Sequence, residues 1–268
     1  MKVKALYIYP IKSLGGILLD EAHTQERGFK NDRRWMLVDA NGKFQTQRQK
    51  AEMAHLIPFF ENGNLLVKDR RDDDTFEIPM QPAGDHISVT VWDDTFMAQK
   101  VDNAADKWFS DKLGFEVQLV YMTDKSERPL PAEYVPEESE TSFADGFPYL
   151  IANQASLDDL NQKINGEYIS MERFRPNIVV EGVEEAFAED NWYDLEIGTI
   201  PFKAVKPCGR CVVTTIDPNT TEKGKEPLFT LSKYRKVGKS VMFGENAVSL
   251  KEGTVKVGDT VEVKSFKK

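Results

Sequence analysis

Short alternating runs broken by turn residues dominate this chain and limit what it can become. Val3 to Tyr9 alternates and is rich in β-formers. KFQTQR (43–48), NLLVKD (64–69), TFEIPM (75–80), ISVTVWD (87–93), TFMAQKV (95–101) and EVQLVYM (116–122) follow as strand candidates separated by Gly, Asn and Asp turns. FPYLIAN (147–153), PNIVVEG (176–182), WYDLEIG (192–198), IPFKAVKPCGRC (200–211) and VVTTID (212–217) continue the pattern. GTVKVGDTVEVKS (253–265) reads as two strands around a Gly-Asp turn. ENGNLLVKDRRDDDTFEIP (61–79) reads as a hairpin whose charged tip, Arg70 to Asp74, is a solvated turn without a function.

Helical spacing is confined to two places. Ala105, Trp108, Phe109 and Leu113 predict a helix capped by Asp102 and stopped by Gly114, with its aromatic face buried. Ser156 and Asp159, ahead of Leu160 and Ile164, predict the start of a second helix, closed by Gly166. The fold class is therefore mainly β with a few helices (α+β). No alternation of strands with long helices supports a doubly wound sheet, and neither G-x-G-x-x-G nor a P-loop occurs. The Pro- and Glu-rich stretch TDKSERPLPAEYVPEESETSFADG (123–146) is too polar and broken for an element and reads as a linker or active-site loop. It predicts two domains, 1–122 and 123–268.

A formal charge of −9 and a pI of about 5.1 argue against a broad nucleic-acid footprint and leave room for a local basic pocket. Pro10 and Lys12 interrupt the N-terminal apolar run, which reads as a strand and not as a targeting segment. No stretch approaches the ~20 apolar residues that span a bilayer. With two cysteines suited to a reducing compartment, a cytoplasmic protein without membrane contact is expected.

Those two cysteines, Cys208 and Cys211 in KPCGRC, carry the chemical question. Structural zinc would need two further ligands, and His23, His55 and His86 all lie far upstream. An iron–sulfur cluster held within the chain normally takes four thiolates. A thioredoxin-type exchange wants the pair at a helix N-terminus, whereas these flanks are strand-like. No histidine accompanies a recognisable nucleophile motif, so acyl transfer is unsupported. A thiolate on a soft metal that brings its other ligands, gripped at an anionic end by basic side chains, answers the pattern best; simple packing is the bland alternative. Candidate cations are Lys12 beside Ser13, Arg33, Arg34, Arg48, Arg173, Arg175 and Arg210, with arginine suited to bidentate phosphate contacts.

YPIKS (9–13), DRRWMLVD (32–39), RFRPNIVV (173–180), PCGRCVVTTIDP (207–218), EPLFTLSKYR (226–235) and GTVKVGD (253–259), in that order, resemble the MOSC family, named for the C-terminal domain of molybdenum cofactor sulfurase. The resemblance runs end to end. It is to the subgroup with an N-terminal MOSC β-barrel, which includes the mitochondrial amidoxime-reducing components and bacterial YcbX-type reductases of N-hydroxylated compounds. It implies an N-terminal MOSC β-barrel-like domain and a C-terminal MOSC domain.

The resemblance implies a molybdenum cofactor with Cys211, not Cys208, as the protein ligand to molybdenum. It implies that Lys12 and Ser13 help hold the pterin phosphate, that Arg33, Arg175, Gly209 and Arg210 contact the cofactor, and that Asp145 and Asn177 lie nearer the substrate as catalytic candidates. Where relatives carry a Thr-Ser pair, this chain has Gly146-Phe147, which removes two hydroxyl donors. The C-terminal ferredoxin-like domain of some bacterial relatives has no counterpart, and no iron–sulfur cluster is expected here. Electrons would come from a separate ferredoxin- or flavodoxin-like protein or a reductase. The implied function is reduction of small N-hydroxylated substrates. The rival expectation is a carrier that delivers the cofactor, or sulfur on a cysteine, without turnover.

Overall fold

A computed structural model of the protein describes residues 1–135, 139–166 and 168–267. The linker or active-site loop expected at 123–146 therefore falls partly outside the described residues. Its largest sheet has nine strands. The path runs Val261–Phe266, Trp192–Ile197, Ile200–Arg210, Ser240–Ser249, Tyr149–Asn153, Ile178–Glu181, Lys2–Ile8 and Ile17–Leu19, with Lys236–Val237 on the flank of Ser240–Ser249. Every pairing is antiparallel except that of Tyr149–Asn153 with Ile178–Glu181. The sheet bends back on itself. Val3 N–H donates to the Asp259 carbonyl and Val261 N–H to that of Met1, and a bridge joins Lys2 to Thr260. Side chains from all around this barrel, including Leu6, Ile8, Tyr149, Ile178, Trp192 and Phe202, meet in one buried core.

The first strand thus lies among strands of the C-terminal half. Glu21–Gln25 and Gly28–Phe29 do likewise, in a small sheet with Gly253–Lys256. Two further sheets stay within the N-terminal half: Trp35–Val38, Gln118–Tyr121, Asp94–Lys100 and His86–Val91 form one, and the meander Leu56–Glu61, Asn64–Asp69 and Thr75–Ile78 the other. Asn103–Leu113 is helical, with the Asp102 carboxylate accepting from Ala105 N–H and Gly114 left-handed at φ 73°. Ala105 and Phe109 are buried on its inner face.

Several expectations shift. KFQTQR makes only isolated bridges, Val38 to Phe44 and Lys43 to Thr90. VVTTID is not a strand: Val212–Thr215 is a 3-10 turn in which the Thr214 and Thr215 hydroxyls donate to the Cys211 and Val212 carbonyls. Local hydroxyl bonding competes there with β-propensity. The second helix is Gln154–Lys163, capped by Asn153 rather than by Ser156, whose hydroxyl goes instead to the Glu189 carboxylate. It ends before Gly166. The two C-terminal strands flank the expected turn and pair elsewhere, Gly253–Lys256 with Glu21–Gln25 and Val261–Phe266 with Trp192–Ile197. Among the described residues, no helix is long and apolar enough to cross a membrane.

Strand Ile200–Arg210 carries the core into the site. Ile200, Phe202 and Ala204 alternate inward, and then the pairing with Ser240–Ser249 slips between Ala204 and Lys206 and again between Pro207 and Gly209. Bulges of this kind re-aim side chains at the ends of strands. Beyond them, Cys208, Gly209 and Arg210 leave the core and face a cavity.

A tight turn tests the packing of the N-terminal sheet. Gly42 sits at φ 74°, and a Cβ there would lie 2.2 Å from the Ser88 carbonyl oxygen. Gly63 has a similar φ of 84° with nothing within 4 Å. Gly63→Ala is expected to cost about 1–2 kcal/mol, the left-handed penalty alone. Gly42→Ala should cost several kcal/mol, read as a larger drop in urea midpoint at unchanged m-value.

Candidate functional site

The cavity, about 320 Å³ in volume, lies where the N-terminal sheet meets the open end of the barrel. All nine residues singled out from the sequence line it: Lys12, Ser13, Arg33, Asp145, Arg175, Asn177, Gly209, Arg210 and Cys211. Of the remaining candidate cations, Arg48 and Arg173 also line it. Arg34 does not; its guanidinium bonds the Met122 carbonyl and Asp124.

Three of these residues hold backbones that side chains other than glycine rarely adopt. Ser13 has φ 67°, Arg33 φ 49° and Arg175 φ 54°. Each costs roughly 1–2 kcal/mol, and such positions cluster where structure serves function. Surrounding contacts enforce them. Arg33 N–H donates to the Tyr9 carbonyl at 3.0 Å, and Arg175 N–H closes the 3-10 turn Met171–Phe174 on Glu172. The Tyr9 ring packs against both guanidiniums, at 4.5 Å from Arg33 and 4.1 Å from Arg175.

Arg33 is fixed on every side. Its Nη1 donates to Asp32 Oδ2 at 2.6 Å and Asn177 Oδ1 at 3.0 Å, and its Nη2 to the Arg175 carbonyl at 3.2 Å. The amide of Asn177 is committed as well, accepting from Leu150 N–H at 3.2 Å and donating to the Tyr7 carbonyl at 3.2 Å. Asn177 thus positions Arg33 while it lines the cavity. Asp145 is tied to Lys12 Nζ at 2.6 Å, Arg48 Nη2 at 3.2 Å and Trp92 Nε1 at 3.3 Å. The loop that presents it is gripped by Lys12 at the Phe143 carbonyl and by Arg128 at those of Ser142 and Ala144.

Charge is unbalanced in this cavity. Lys12, Arg33, Arg48, Arg173, Arg175 and Arg210 line it with Asp145, the one lining carboxylate among the described residues; Asp32 and Asp217 behind the wall pair Arg33 and Arg173, which leaves the cations in excess by three. Burial pulls the Lys12 ammonium down to about 8 against the opposing pull of Asp145. Burial likewise pushes Arg175 down to about 10, with Arg33 adding repulsion. Burial alone would raise the Asp145 carboxyl, but Lys12 and Arg48 hold it well below the usual carboxylate range, so it is an ionised acceptor and not a proton donor. The Arg210 Nε is buried without a partner among the described residues. An anion entering the cavity would meet both shortfalls.

Both cysteines are free and half-buried. Arg210 Nη1 donates to Cys208 Sγ at 2.9 Å while its Nη2 binds the Phe174 carbonyl, so Cys208 helps to hold the guanidinium. The Cys211 thiol has no hydrogen-bond partner among the described residues. It sits where the strand ends and the 3-10 turn begins, on the cavity wall. No cluster of three or more His, Cys, Asp or Glu side chains among the described residues could hold a bare metal ion. A metal on Cys211 would therefore rely on ligands it brings. At Gly146 a Cβ would meet nothing within 4 Å, so the wall is open where the resemblance places hydroxyls.

Sequence reasoning missed Trp92. It occupies the two-residue turn between His86–Val91 and Asp94–Lys100 at φ 57°, half-exposed, with Arg48 stacked 4.4 Å from its ring. The available signal was that two alternating runs meet across two residues, which makes Trp92 a turn residue and not the end of a strand.

Comparisons with known proteins match residues 1–116 to the MOSC N-terminal beta barrel domain and residues 138–262 to the MOSC domain. The chain is 33% identical to mitochondrial amidoxime reducing component 2 of Homo sapiens, over 97% of this chain and 82% of that one. It is 31% identical to component 1 of Homo sapiens over the same shares, and 30% identical to component 1 of Mus musculus over 97% and 81%.

The position of Lys12 predicts a pH dependence. Its folded pKa of about 8 lies below the ordinary 10.5, so its positive charge is present in the cavity below pH 8 and lost above it. Affinity for a phosphate monoester, measured by calorimetry, should fall about tenfold between pH 7 and 9. Lys12→Arg should hold that affinity to higher pH. Folding stability moves oppositely, the Lys12 contribution becoming more favourable from about pH 8 upward, because the unfolded chain then binds more protons.

Proposed function

The chain belongs to the family that joins a MOSC N-terminal beta barrel domain to a MOSC domain and includes the mitochondrial amidoxime-reducing components, and on that premise we propose that it is a molybdenum-cofactor-dependent reductase of small N-hydroxylated compounds. The observation that carries this reading is the unpartnered Cys211 thiol on the wall of a cavity lined by six cations, of which Arg175 and Arg210 have no carboxylate partner among the described residues. A soft metal suits the thiolate, and a phosphate-bearing organic ligand suits the cations.

The bound cofactor would supply the two-electron reduction that cleaves the N–O bond. The chain's own residues do the rest. Cys211 would hold the metal end, and Lys12, Ser13, Arg175 and Arg210 would hold the anionic end. Arg33, locked by Asp32 and Asn177, sets the spacing between the two halves. Asp145, ionised and tethered to Lys12 and Arg48, presents an acceptor oxygen toward the open cavity. Trp92 and Arg48 form a planar shelf beside it for a flat substrate. Electrons come from a separate protein.

After anaerobic expression in a cofactor-competent host, the protein should carry molybdenum and pterin and reduce benzamidoxime with an artificial donor. Cys211→Ala should lose molybdenum or cut activity at least a hundredfold, and Cys208→Ala should keep activity within about tenfold. Equal losses in the two variants would sink the ligand assignment. Stoichiometric cofactor without turnover would make the protein a carrier.

A further inference from the structure

One charge feature lies outside the cavity. Residues 223–239 hold six cationic side chains against one carboxylate, net +5 in a chain of formal charge −9. Lys225, Lys233, Lys236 and Lys239 are exposed and have no ion-pair partner among the described residues. The carboxylate, Glu226, is spent on the Thr230 N–H and hydroxyl. Among these lysines sit three exposed apolar groups, Phe229 at 46%, Tyr234 at 37% and Val237 at 64%. The Lys225 and Lys233 ammoniums lie 4.7 and 4.4 Å from the centre of the Phe229 ring.

This face adjoins the cavity. Lys236 pairs with Val241, and Val241 with Arg210, so Lys236 stands two strands from the Arg210 that lines the site. At about 4.8 Å per strand, the two backbones are on the order of 10 Å apart. Exposed cations around an apolar centre describe a small interface for a transient acidic partner, the size class in which electron-transfer encounters fall. A long polyanion or an anionic bilayer would also meet the strongly negative remainder of the surface, whereas a compact acidic protein would touch only this patch.

We propose that this face docks an acidic electron-carrying protein of the flavodoxin or ferredoxin class. The inference rests on the reductase reading above, in which each turnover breaks one N–O bond. Substrate takes up two electrons and two protons, leaving amine or amidine and water, while two carrier molecules that dock in succession are each oxidised by one electron. The chain's two cysteines cannot by themselves hold an iron–sulfur relay, so those electrons enter from outside.

The test separates docking from chemistry. Binding of an acidic flavodoxin and an acidic ferredoxin to the whole protein is measured by calorimetry at several salt concentrations, and turnover is measured with each carrier and with reduced methyl viologen. The variant Lys225→Glu/Lys233→Glu/Lys236→Glu should weaken carrier binding, and raise the KM for the carrier, at least tenfold and flatten the salt dependence. Its methyl viologen activity should stay within twofold. The control Lys68→Glu/Lys107→Glu/Lys256→Glu, on other elements, should bind like wild type. Unchanged binding by the first variant, equal weakening by the control, or no salt-dependent binding of either carrier would overturn the proposal. So would capture of DNA or anionic vesicles in place of both carriers. Loss of methyl viologen turnover in the wild type would instead fail the reductase reading, with carrier binding still deciding the docking face.

Discussion

The buried carboxylate of Asp32 is the contact on which the site depends. It accepts the Tyr9 N–H at 2.7 Å through one oxygen and the Arg33 guanidinium at 2.6 Å through the other, and it is fully shielded from water. A charge buried so completely persists only when paired and hydrogen-bonded. Through Arg33 the same contact reaches Asn177 and the Arg175 carbonyl, so three segments remote in sequence are fixed to one another. The left-handed backbones of Arg33 and Arg175 are held in place by this arrangement, which a looser scaffold would relax.

Around that anchor the protein concentrates positive charge that its overall composition conceals. An acidic chain places six cations around a cavity with a single carboxylate among them. Burial makes this unfavourable for Lys12 and Arg175, as their lowered pKa values record. An anionic guest would offset this cost. Preorganised cations of this kind bind tightly because little of their geometry remains to be ordered when the ligand arrives.

Much of this could be read from the sequence, and the exceptions have physical causes. Strand-forming runs with polar turns announced a mainly β chain, and the capping signals at Asp102 and Gly114 marked one helix at both ends. Motif resemblance brought nine residues forward, and all nine share one cavity. What stayed hidden was long-range. Nothing local in Lys2–Ile8 says that it pairs with Ile178–Glu181, and nothing in VVTTID says that its threonine hydroxyls turn back on the backbone. The positioning part of Asn177 was invisible because it depends on Arg33, distant in sequence. Trp92 was overlooked because its β-propensity outweighed its place in a two-residue turn.

The membership of Lys2–Ile8 in the barrel has a bearing on how the chain is made. This strand is made together with one neighbour, Ile17–Leu19, and long before the others, Ile178–Glu181 and the Asp259 and Val261 backbones. Until those are made, one edge of this apolar strand, and the Lys12 and Arg33 that line the cavity, wait for their native neighbours. Pairings of such high contact order form slowly, and unpaired strands invite association with other chains. This topology leaves the closing of the barrel, and with it the completion of the cavity, until the later strands have been made.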